Sequence, residues 1–395
     1  MKKSAYLRIG TQYYKKIKTP LISGDVILTL AKWSRNEIRL DKGNDYLKKI
    51  PKYDGFCLIP SHTNYQPVIK KFYNKYSPNE HISKEGDFQK TKAFLKHLFS
   101  NKFNLILDYL TILWQKPTQT LPVLCLVSEE RKTGKSTFLN WLKIIFQANM
   151  TINTNEDFRS RFNDDWISKL IIAVDEVLLD KKEDSEKIKN LSTTKSYKQE
   201  SKGVDKIENE FFGKFILCSN NEDNFIKIDR NEIRYWVVKI PTIKDEEENP
   251  KLLDDLRKEL PHFIYFIENR KIVTSMKTRM WFTREQLHTP ALEKLIRGNT
   301  NSVERELNFI LNDAFKQFDV EKLEYTLTDI VNALAKSGIN TTKRVVSNIL
   351  KNNLKLESIN GNYKKHHLTP TLSGDIFGDY SSSKGRYFTF LKKDF

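Results

Sequence analysis

Residues 121–146 read LPVLCLV, then SEERKTGKST, then FLNWLKIIF. The first seven residues are an apolar run typical of a buried strand, and the last nine place their apolar positions at helical spacing. A strand, a tight loop and a helix that opens on Gly134-Lys135-Ser136 would place backbone N–H groups and the positive end of a helix around a phosphate group. The stretch therefore predicts a nucleotide-binding loop.

In such a loop Lys135 would reach the β and γ phosphates of ATP, and Ser136 would hold Mg²⁺. Glu129 stands where the phosphate-loop pattern has its first glycine, so the match is incomplete. A Gly-Lys-Ser tripeptide also occurs at ordinary helix N-termini, where Ser or Thr caps the helix. The loop assignment therefore needs support from other parts of the chain. The predicted phosphate contacts are Thr133, Gly134, Lys135, Ser136 and Thr137.

That support comes from residues 170–176, LIIAVDE, a second buried strand that ends in two acids. In an ATPase the first acid, Asp175, binds Mg²⁺, and the second, Glu176, polarises the attacking water. Taken alone, a strand that ends in Asp-Glu is more often a surface acid pair. Placed in this order after the loop, the two motifs predict an ATP-hydrolysing core.

A third apolar strand, residues 215–219, ends in an amide pair, Asn220 and Asn221. A strand beside the one that carries the acids would bring such an amide toward the γ-phosphate, where it can orient water. Asparagine at a strand end is otherwise a turn former. Both interpretations remain open for these two residues.

Arg234 stands directly before a fourth strand, residues 235–240. An arginine at this place can project from a subunit edge into a neighbour's nucleotide site and stabilise developing charge. The alternative is a surface ion pair with Glu232 or Asp229.

Residues 195–206 read KSYKQESKGVDK, with lysines three or four apart around one glycine. A glycine turn flanked by lysines and one tyrosine would present charges to phosphates and a ring to bases. An exposed, solvated loop is the alternative. The predicted DNA contacts in this hairpin are Tyr197, Lys198, Lys202 and Lys206.

From residue 303 the predicted order is one helix, then a pair of helices joined by a turn, then short strands separated by glycine turns. This order resembles a winged helix-turn-helix, whose second helix enters the major groove, although the same fold often serves protein contacts. Lys343 and Arg344 on the second helix are the predicted DNA contacts. The helices are residues 327–334 and 340–351, and the wing strands are residues 355–363 and 386–391 around Asn360-Gly361.

The chain has 395 residues, a net charge of +17 and 39% hydrophobic residues. This composition supports a sizeable core and excludes wholesale disorder. The three cysteines form no CxxC pair, which disfavours a disulfide framework or a zinc module. No signal peptide and no apolar run of membrane-spanning length stand out, so we expect a soluble protein of the cytoplasm, without a membrane contact.

The excess charge is concentrated near the N-terminus. Residues 1–102 hold 21 Lys and Arg against 8 Asp and Glu, interleaved with tyrosines, phenylalanine and tryptophan. Lysines attract phosphate and aromatic rings offer stacking faces, so the pattern suits nucleic acid. The alternative is a solvated basic surface over a small aromatic core.

The order of the motifs resembles the superfamily 3 helicases of the AAA+ class, in particular the helicase part of phage, plasmid and mobile-element primase-helicases. The resemblance covers about residues 73–240, from YNKYSP through the strand that ends at Ile240. It implies that the lysine hairpin points into a ring channel and grips single-stranded DNA. It also implies a Walker A site at Lys135 and Ser136, a Walker B pair at Asp175 and Glu176, a sensor at Asn220 or Asn221, and an arginine finger at Arg234.

The expected fold class is α/β, a AAA+ P-loop NTPase core with an α+β N-terminal region and a C-terminal winged helix. Strands that alternate with helices predict a mainly parallel sheet for the core. The expected segments are a basic α+β leader (1–86), a helical bridge (87–118), the ATPase core (119–245), a helical linker (246–300) and the winged helix-turn-helix (301–395).

The expected function is that of an ATP- and Mg²⁺-dependent DNA helicase or translocase, a homo-hexamer that acts on single-stranded DNA and on origin duplex DNA in the replication of a phage, plasmid or mobile element. The chain shows no primase carboxylate triad, so a separate primase or polymerase partner is expected. Two alternatives remain. One is an ATP-regulated replication initiator that does not unwind DNA, and the other is a P-loop kinase or GTPase, although no Asn-Lys-x-Asp guanine motif follows the acid pair.

Overall fold

A computed structural model describes most of the chain, and the chain divides into two compact units. One unit is Met1–Lys227 with Ile233–Glu293, and the other is Ile228–Glu232 with Lys294–Phe395. No helix in the described part of the chain is long and apolar enough to cross a membrane. The described residues are 4–20, 26–160, 163, 165–179, 181–194, 196–199, 207–228, 232–243, 248–299, 302–366 and 380–394.

The first unit begins with a four-stranded sheet of order β3-β2-β1-β4, in which only the β1–β4 pair is parallel. Two helices cover one face of this sheet, and Tyr6, Ile38 and Ile50 form the small core between them. The first helix begins after Ser34, whose hydroxyl accepts two backbone N–H groups. The elements are β1 (Tyr6–Ile9), β2 (Gln12–Pro20), β3 (Val26–Trp33), α1 (Arg35–Lys42), α2 (Asn44–Lys49) and β4 (Lys52–Tyr53).

A second small sheet follows, with strand order β5-β7-β6. The buried Asn74 side chain fixes the loop beside it, because its amide donates to the carbonyls of Ile59 and Gln66 and accepts the N–H of Ile59. Two helices then pack on the core, in the stretch that was expected to be a helical bridge. The elements are β5 (Gly55–Cys57), β6 (Val68–Ile69), β7 (Phe72–Asn74), α3 (Gln89–Phe99) and α4 (Phe103–Gln115).

The centre of the first unit is a five-stranded parallel sheet of order β14-β8-β13-β10-β9. Its strands are almost entirely apolar and buried, as expected when helices cover both faces of a parallel sheet. The lysine hairpin predicted between the acid pair and the third strand is present as the antiparallel pair β11–β12. The elements are β8 (Val123–Val127), α5 (Lys135–Phe146), β9 (Met150–Asn153), α6 (Asn155–Arg159), β10 (Ile171–Val174), α7 (Lys182–Leu191), β11 (Ser196–Gln199), β12 (Ile207–Glu210), β13 (Lys214–Ser219) and β14 (Tyr235–Lys239).

Large aromatic side chains fill the core around this sheet, and Trp114, Trp141 and Trp236 are fully buried. Helix α8 presents one apolar face to α4 and α5, although it contains Pro261. Two shorter helices follow in the stretch that was expected to be a helical linker. The elements are α8 (Leu252–Asn269), α9 (Arg284–Leu287) and α10 (Pro290–Asn299).

The second unit combines helices with an antiparallel sheet of order β15-β17-β16. A capping box between Thr326 and Asp329 starts the middle helix. The predicted wing needs correction: its first strand is as long as expected but begins three residues later, its second strand begins six residues earlier, and Asn360-Gly361 lies inside β16, opposite Arg386 and Gly385, instead of at a turn. The elements are α11 (Ser302–Phe318), β15 (Lys322–Thr326), α12 (Leu327–Lys336), α13 (Lys343–Asn348), β16 (Ser358–His366) and β17 (Tyr380–Leu391).

Candidate functional site

The loop between β8 and α5 holds the Lys135 side chain in a buried position. The Lys135 ammonium donates a hydrogen bond to the carbonyl of Ser128, at a distance of 3.3 Å. Lys132 and Gly134 have φ angles of +54° and +90°, in the left-handed region. A β-carbon at Gly134 would also lie 3.1 Å from the Phe94 ring. Glycine at position 134 is therefore required both by the backbone conformation and by the space beside it.

The structure brings Asp175, the first residue of the acid pair, to this loop, although the two motifs are about forty residues apart in sequence. The Ser136 hydroxyl, in the first turn of α5, donates to the Asp175 carboxylate at 3.1 Å. Asp175 follows β10, and β8, β13 and β10 run parallel, so their carboxyl ends meet at one edge of the sheet. The contact is the one expected if Ser136 and Asp175 share a metal ion.

The charged groups at and near Lys135 are suited to binding a phosphate group that carries a divalent cation. Burial lowers the pKa of the Lys135 ammonium, while the nearby Asp175 and Glu222 carboxylates act in the opposite direction. Glu222 is itself buried and forms an ion pair with Lys239, at 3.0 Å. Mg²⁺ prefers oxygen ligands and usually binds through one or two carboxylates together with phosphate oxygens. The residues at this edge therefore fit a nucleotide with its Mg²⁺.

Glu176 is held in an unusual backbone conformation, with φ of +52°. A residue other than glycine is uncommon in this region and persists only where its surroundings hold it. The Asn155 side chain does so, because its amide donates to the Glu176 carbonyl at 3.1 Å and its oxygen accepts the N–H of Leu178 at 3.1 Å. Asn155 is not among the residues predicted from the sequence, because the short strand before it, β9, does not stand out in the sequence.

The two candidate amides after β13 have different surroundings. The Asn221 side chain is engaged in its own turn, where its oxygen accepts the N–H groups of Asp223 and Asn224 and its nitrogen donates to Asn224. The Asn220 side chain is exposed and makes no hydrogen bond with the residues that the structure describes. Of the pair, Asn220 is therefore the residue whose amide can face a ligand.

Arg234 lies at the amino ends of the parallel strands, whereas the loop lies at their carboxyl ends. Its carbonyl accepts the N–H of Val123, the first residue of β8, whereas the loop follows the last residue, Val127. The first and last residues of β8 are about 13 Å apart at the usual rise per residue of a strand. Within one chain, the structure does not bring Arg234 to Lys135.

The lysine hairpin is only partly described. Lys198 lies in β11, and Lys202 and Lys206 lie outside the described residues. The expectation that Tyr197 presents a stacking face needs correction, because its ring packs edge-on against Phe211, with centroids 5.6 Å apart, and is 9% exposed. Tyr197 therefore belongs to the packed base of the hairpin.

In the second unit, Lys343 and Arg344 are exposed in the first turn of α13. This helix begins after Thr342, whose hydroxyl accepts the N–H of Val345. It is shorter than predicted, because a π-helical segment, Ile349–Asn353, replaces its second half.

The chain therefore has a mixed α/β fold around a five-stranded parallel sheet, with the candidate site at the carboxyl edge of that sheet. A model of a family of unknown function, DUF5906, matches residues 126–234, a stretch that contains every predicted residue of the nucleotide site from Thr133 to Arg234. None of the curated proteins matches the sequence.

The solved structures of the NrS-1 C-terminal region are similar to this chain. The apo structure of residues 305–718 of that protein has a TM-score of 0.61 at 14% identity, over 87% of this chain and 81% of the other. An A-form apo structure has a TM-score of 0.60 at 15% identity, over 90% and 84%. A JCV helicase structure with a bound compound reaches only 0.27 at 13% identity, over 58% and 66%, which is too low to compare folds. The chain thus shares its fold with the NrS-1 C-terminal region.

Proposed function

We propose that this chain is an ATP-hydrolysing DNA translocase with a AAA+ core of the superfamily 3 helicase type, which acts in the replication of a phage, plasmid or other mobile element. The observation that carries the proposal is the hydrogen bond between Ser136 and Asp175 beside the buried Lys135. A strand-loop-helix with a buried lysine and a serine within reach of a strand-end acid is the arrangement that P-loop NTPases use.

The proposed nucleotide contacts follow from this geometry. The Lys135 ammonium binds the β and γ phosphates, and the backbone of residues 133–137 donates N–H groups to them. Ser136 and Asp175 hold Mg²⁺, which when bound neutralises charge on the phosphate oxygens. Burial of Lys135 strengthens its attraction for phosphate, because the local dielectric constant is lower than in water.

Hydrolysis is proposed to need two further groups from the same chain. Glu176 accepts a proton from the attacking water, and Asn220 orients that water. The backbone of Glu176 is fixed through Asn155, so Asn155 is a positioning residue.

Replacing Asn155 with alanine is expected to lower the single-turnover rate of ATP hydrolysis by about 10- to 100-fold, because Glu176 would lose the contact that holds its backbone. Affinity for a fluorescent ATP analogue should stay nearly the same, since among the described residues Asn155 forms no hydrogen bond with Lys135 or Ser136. Asn190→Ala, at an exposed asparagine on α7, is the matched control. An unchanged rate would show that Glu176 needs no such support.

The proposed assembly is a ring, in keeping with the superfamily 3 resemblance. Arg234 lies at the amino ends of the strands, and the loop lies at their carboxyl ends. Arg234 can therefore complete a nucleotide site only in a second copy of the chain. Closed rings of identical subunits repeat one such interface around an axis. We propose a homo-hexamer with ATP at each subunit boundary.

The β11–β12 hairpin is the proposed grip on single-stranded DNA. Replacing Lys198 and Lys202 together with alanine is expected to reduce stimulation of ATP hydrolysis by single-stranded DNA, and to lower the salt slope of DNA binding by about 1.4, because each phosphate contact to a single strand contributes about 0.7. Hydrolysis without DNA should be unchanged.

The matched control removes two exposed lysines elsewhere, Lys227 and Lys251, and so changes the net charge equally. An unchanged salt slope in the hairpin variant, or an equal drop in the control, would mean that the hairpin is not the DNA grip.

A second candidate function rests on the second unit, where exposed Lys343 and Arg344 at the start of α13 stand beside an antiparallel sheet in the order of a winged helix. With this module the chain could be an ATP-regulated initiator that binds origin duplex DNA without unwinding it. Strand displacement on a forked duplex separates the two functions: a translocase displaces the labelled strand when ATP is present, and an initiator binds the fork without displacement.

A further inference from the structure

The N-terminal part of the first unit carries a row of aromatic rings paired with lysines. The Tyr14 and Phe56 rings meet edge to face with centroids 5.3 Å apart, and Phe56 and Tyr73 do so at 6.3 Å. The Lys75 ammonium lies 4.4 Å from the centre of the Phe56 ring, and the Lys16 ammonium lies 5.5 Å from that of Tyr73. We call these five residues the aromatic-lysine face.

The strand register extends this face with further cations. Side chains alternate along a strand, so Tyr14, Lys16 and Lys18 point to one side of β2, and residues directly opposite them in the next strand point to the same side. Lys32 of β3 pairs with Tyr14 and is exposed, as is Lys18. The other side of the sheet, which holds Tyr13, packs against the core under α1 and α2.

The charge around the face is almost entirely positive. Residues 4–20, 26–33 and 52–75 contain nine lysines and arginines against a single acid, Asp54. The three rings are each partly exposed. A ligand for this face must therefore carry repeated negative charges and offer flat apolar surfaces beside them.

We infer that the aromatic-lysine face binds single-stranded nucleic acid. Each nucleotide joins one phosphate to one base, and the face pairs one ammonium with one ring twice over, at Lys75 with Phe56 and at Lys16 with Tyr73. Lysines bind the backbone and rings stack on bases, and in a duplex the flat faces of the bases are covered by their neighbours. An acidic peptide would satisfy the lysines and leave the rings without a partner.

This site is separate in sequence from the nucleotide loop and the hairpin, so it goes beyond the proposed function. It would hold a strand whether or not ATP is hydrolysed. Its test is therefore made without nucleotide, so that failure of the ATPase proposal and failure of this inference can be told apart.

The experiment measures binding of a fluorescein-labelled oligothymidylate to the full chain by anisotropy, at several salt concentrations. Lys16→Ala with Lys75→Ala is expected to weaken binding roughly 10- to 25-fold near 0.1 M salt and to lower the salt slope by about 1.4, since two phosphate contacts are lost. The control removes Lys42 and Lys49, two exposed lysines on α1 and α2 at the other side of the same sheet, and should change neither value.

A second pair of variants tests the rings. Tyr14→Leu should weaken binding by about tenfold because a stacking surface is lost, whereas Tyr14→Phe keeps the ring and should bind like the natural chain. An oligonucleotide with 5-iodouracil, irradiated on the protein, should cross-link to peptides that contain Tyr14 or Tyr73.

Three results would overturn the inference. The first is an unchanged affinity and salt slope in the lysine variant, and the second is cross-linking confined to other parts of the chain. The third is competition by duplex DNA or by polyglutamate as strong as that by unlabelled oligothymidylate. Equal competition by oligouridylate would support the site and extend it to RNA.

Discussion

We expect ATP hydrolysis to fall by about a thousandfold when Lys135 is replaced by alanine, and the fold to be retained. The Lys135 ammonium is the buried cation of this loop, and removal of a preorganised donor from a site where charge develops typically costs about 10²–10³ in rate. Burial already disfavours the charged form of Lys135, Glu222 keeps its ion pair with Lys239, and Asp175 is only partly buried, so the substitution should not unfold the chain. Phosphate release at saturating ATP gives the rate, and thermal unfolding checks the fold.

Lys132→Ala is the matched control, because Lys132 belongs to the same loop but is exposed and forms an ion pair with Glu248 at 2.9 Å. Surface ion pairs contribute little, so this variant should hydrolyse ATP at nearly the natural rate. Full hydrolysis by the Lys135 variant would contradict the phosphate-loop assignment, and an equal loss in both variants would place the effect in the loop conformation.

Arg234→Ala should lower hydrolysis by roughly a thousandfold, with nucleotide affinity nearly unchanged, because arginine fingers act on the transition state. Activity should return when this variant is mixed with Glu176→Gln subunits. Each active interface then takes its Glu176 from one variant and its Arg234 from the other. Random mixing in equal amounts makes about one quarter of the interfaces active in a ring.

The control mixture combines Arg234→Ala with the double variant Arg234→Ala, Glu176→Gln, in which no interface is complete. Activity in this control, or failure of the first mixture to regain activity in assembled rings, would contradict an arginine supplied by the neighbouring subunit. Because Arg234 lies at the amino ends of the strands, it has no role in the proposed nucleotide site of its own chain.

The sequence predicted the central sheet largely through four apolar runs, which became β8, β10, β13 and β14. Strand β9, Met150–Asn153, was missed because it has only four residues and no apolar run, and its alternation of apolar and polar residues, MTIN, is too short to stand out. The meeting of Ser136 and Asp175 was predictable, since parallel strands bring their carboxyl ends to one edge.

Other features depend on tertiary contacts that local patterns do not encode. Tyr197 is buried because Phe211, fourteen residues away, packs against it. The Asn221 side chain is engaged and that of Asn220 is not, because the hydrogen bonds of one turn involve only Asn221. The proposed positioning role of Asn155 depends on its hydrogen bond to the backbone of Glu176, in a loop after a different strand. In each case the missing information is which groups meet in space.

The most direct test of a DNA-driven ATPase is hydrolysis by the natural chain and by Lys135→Ala, each with and without single-stranded DNA, at two salt concentrations. We predict strong stimulation of the natural chain by DNA, weaker at the higher salt because phosphate contacts are screened, and no stimulation of the variant. Hydrolysis that is indifferent to DNA, or none at all in a preparation shown to be assembled, would contradict the proposal.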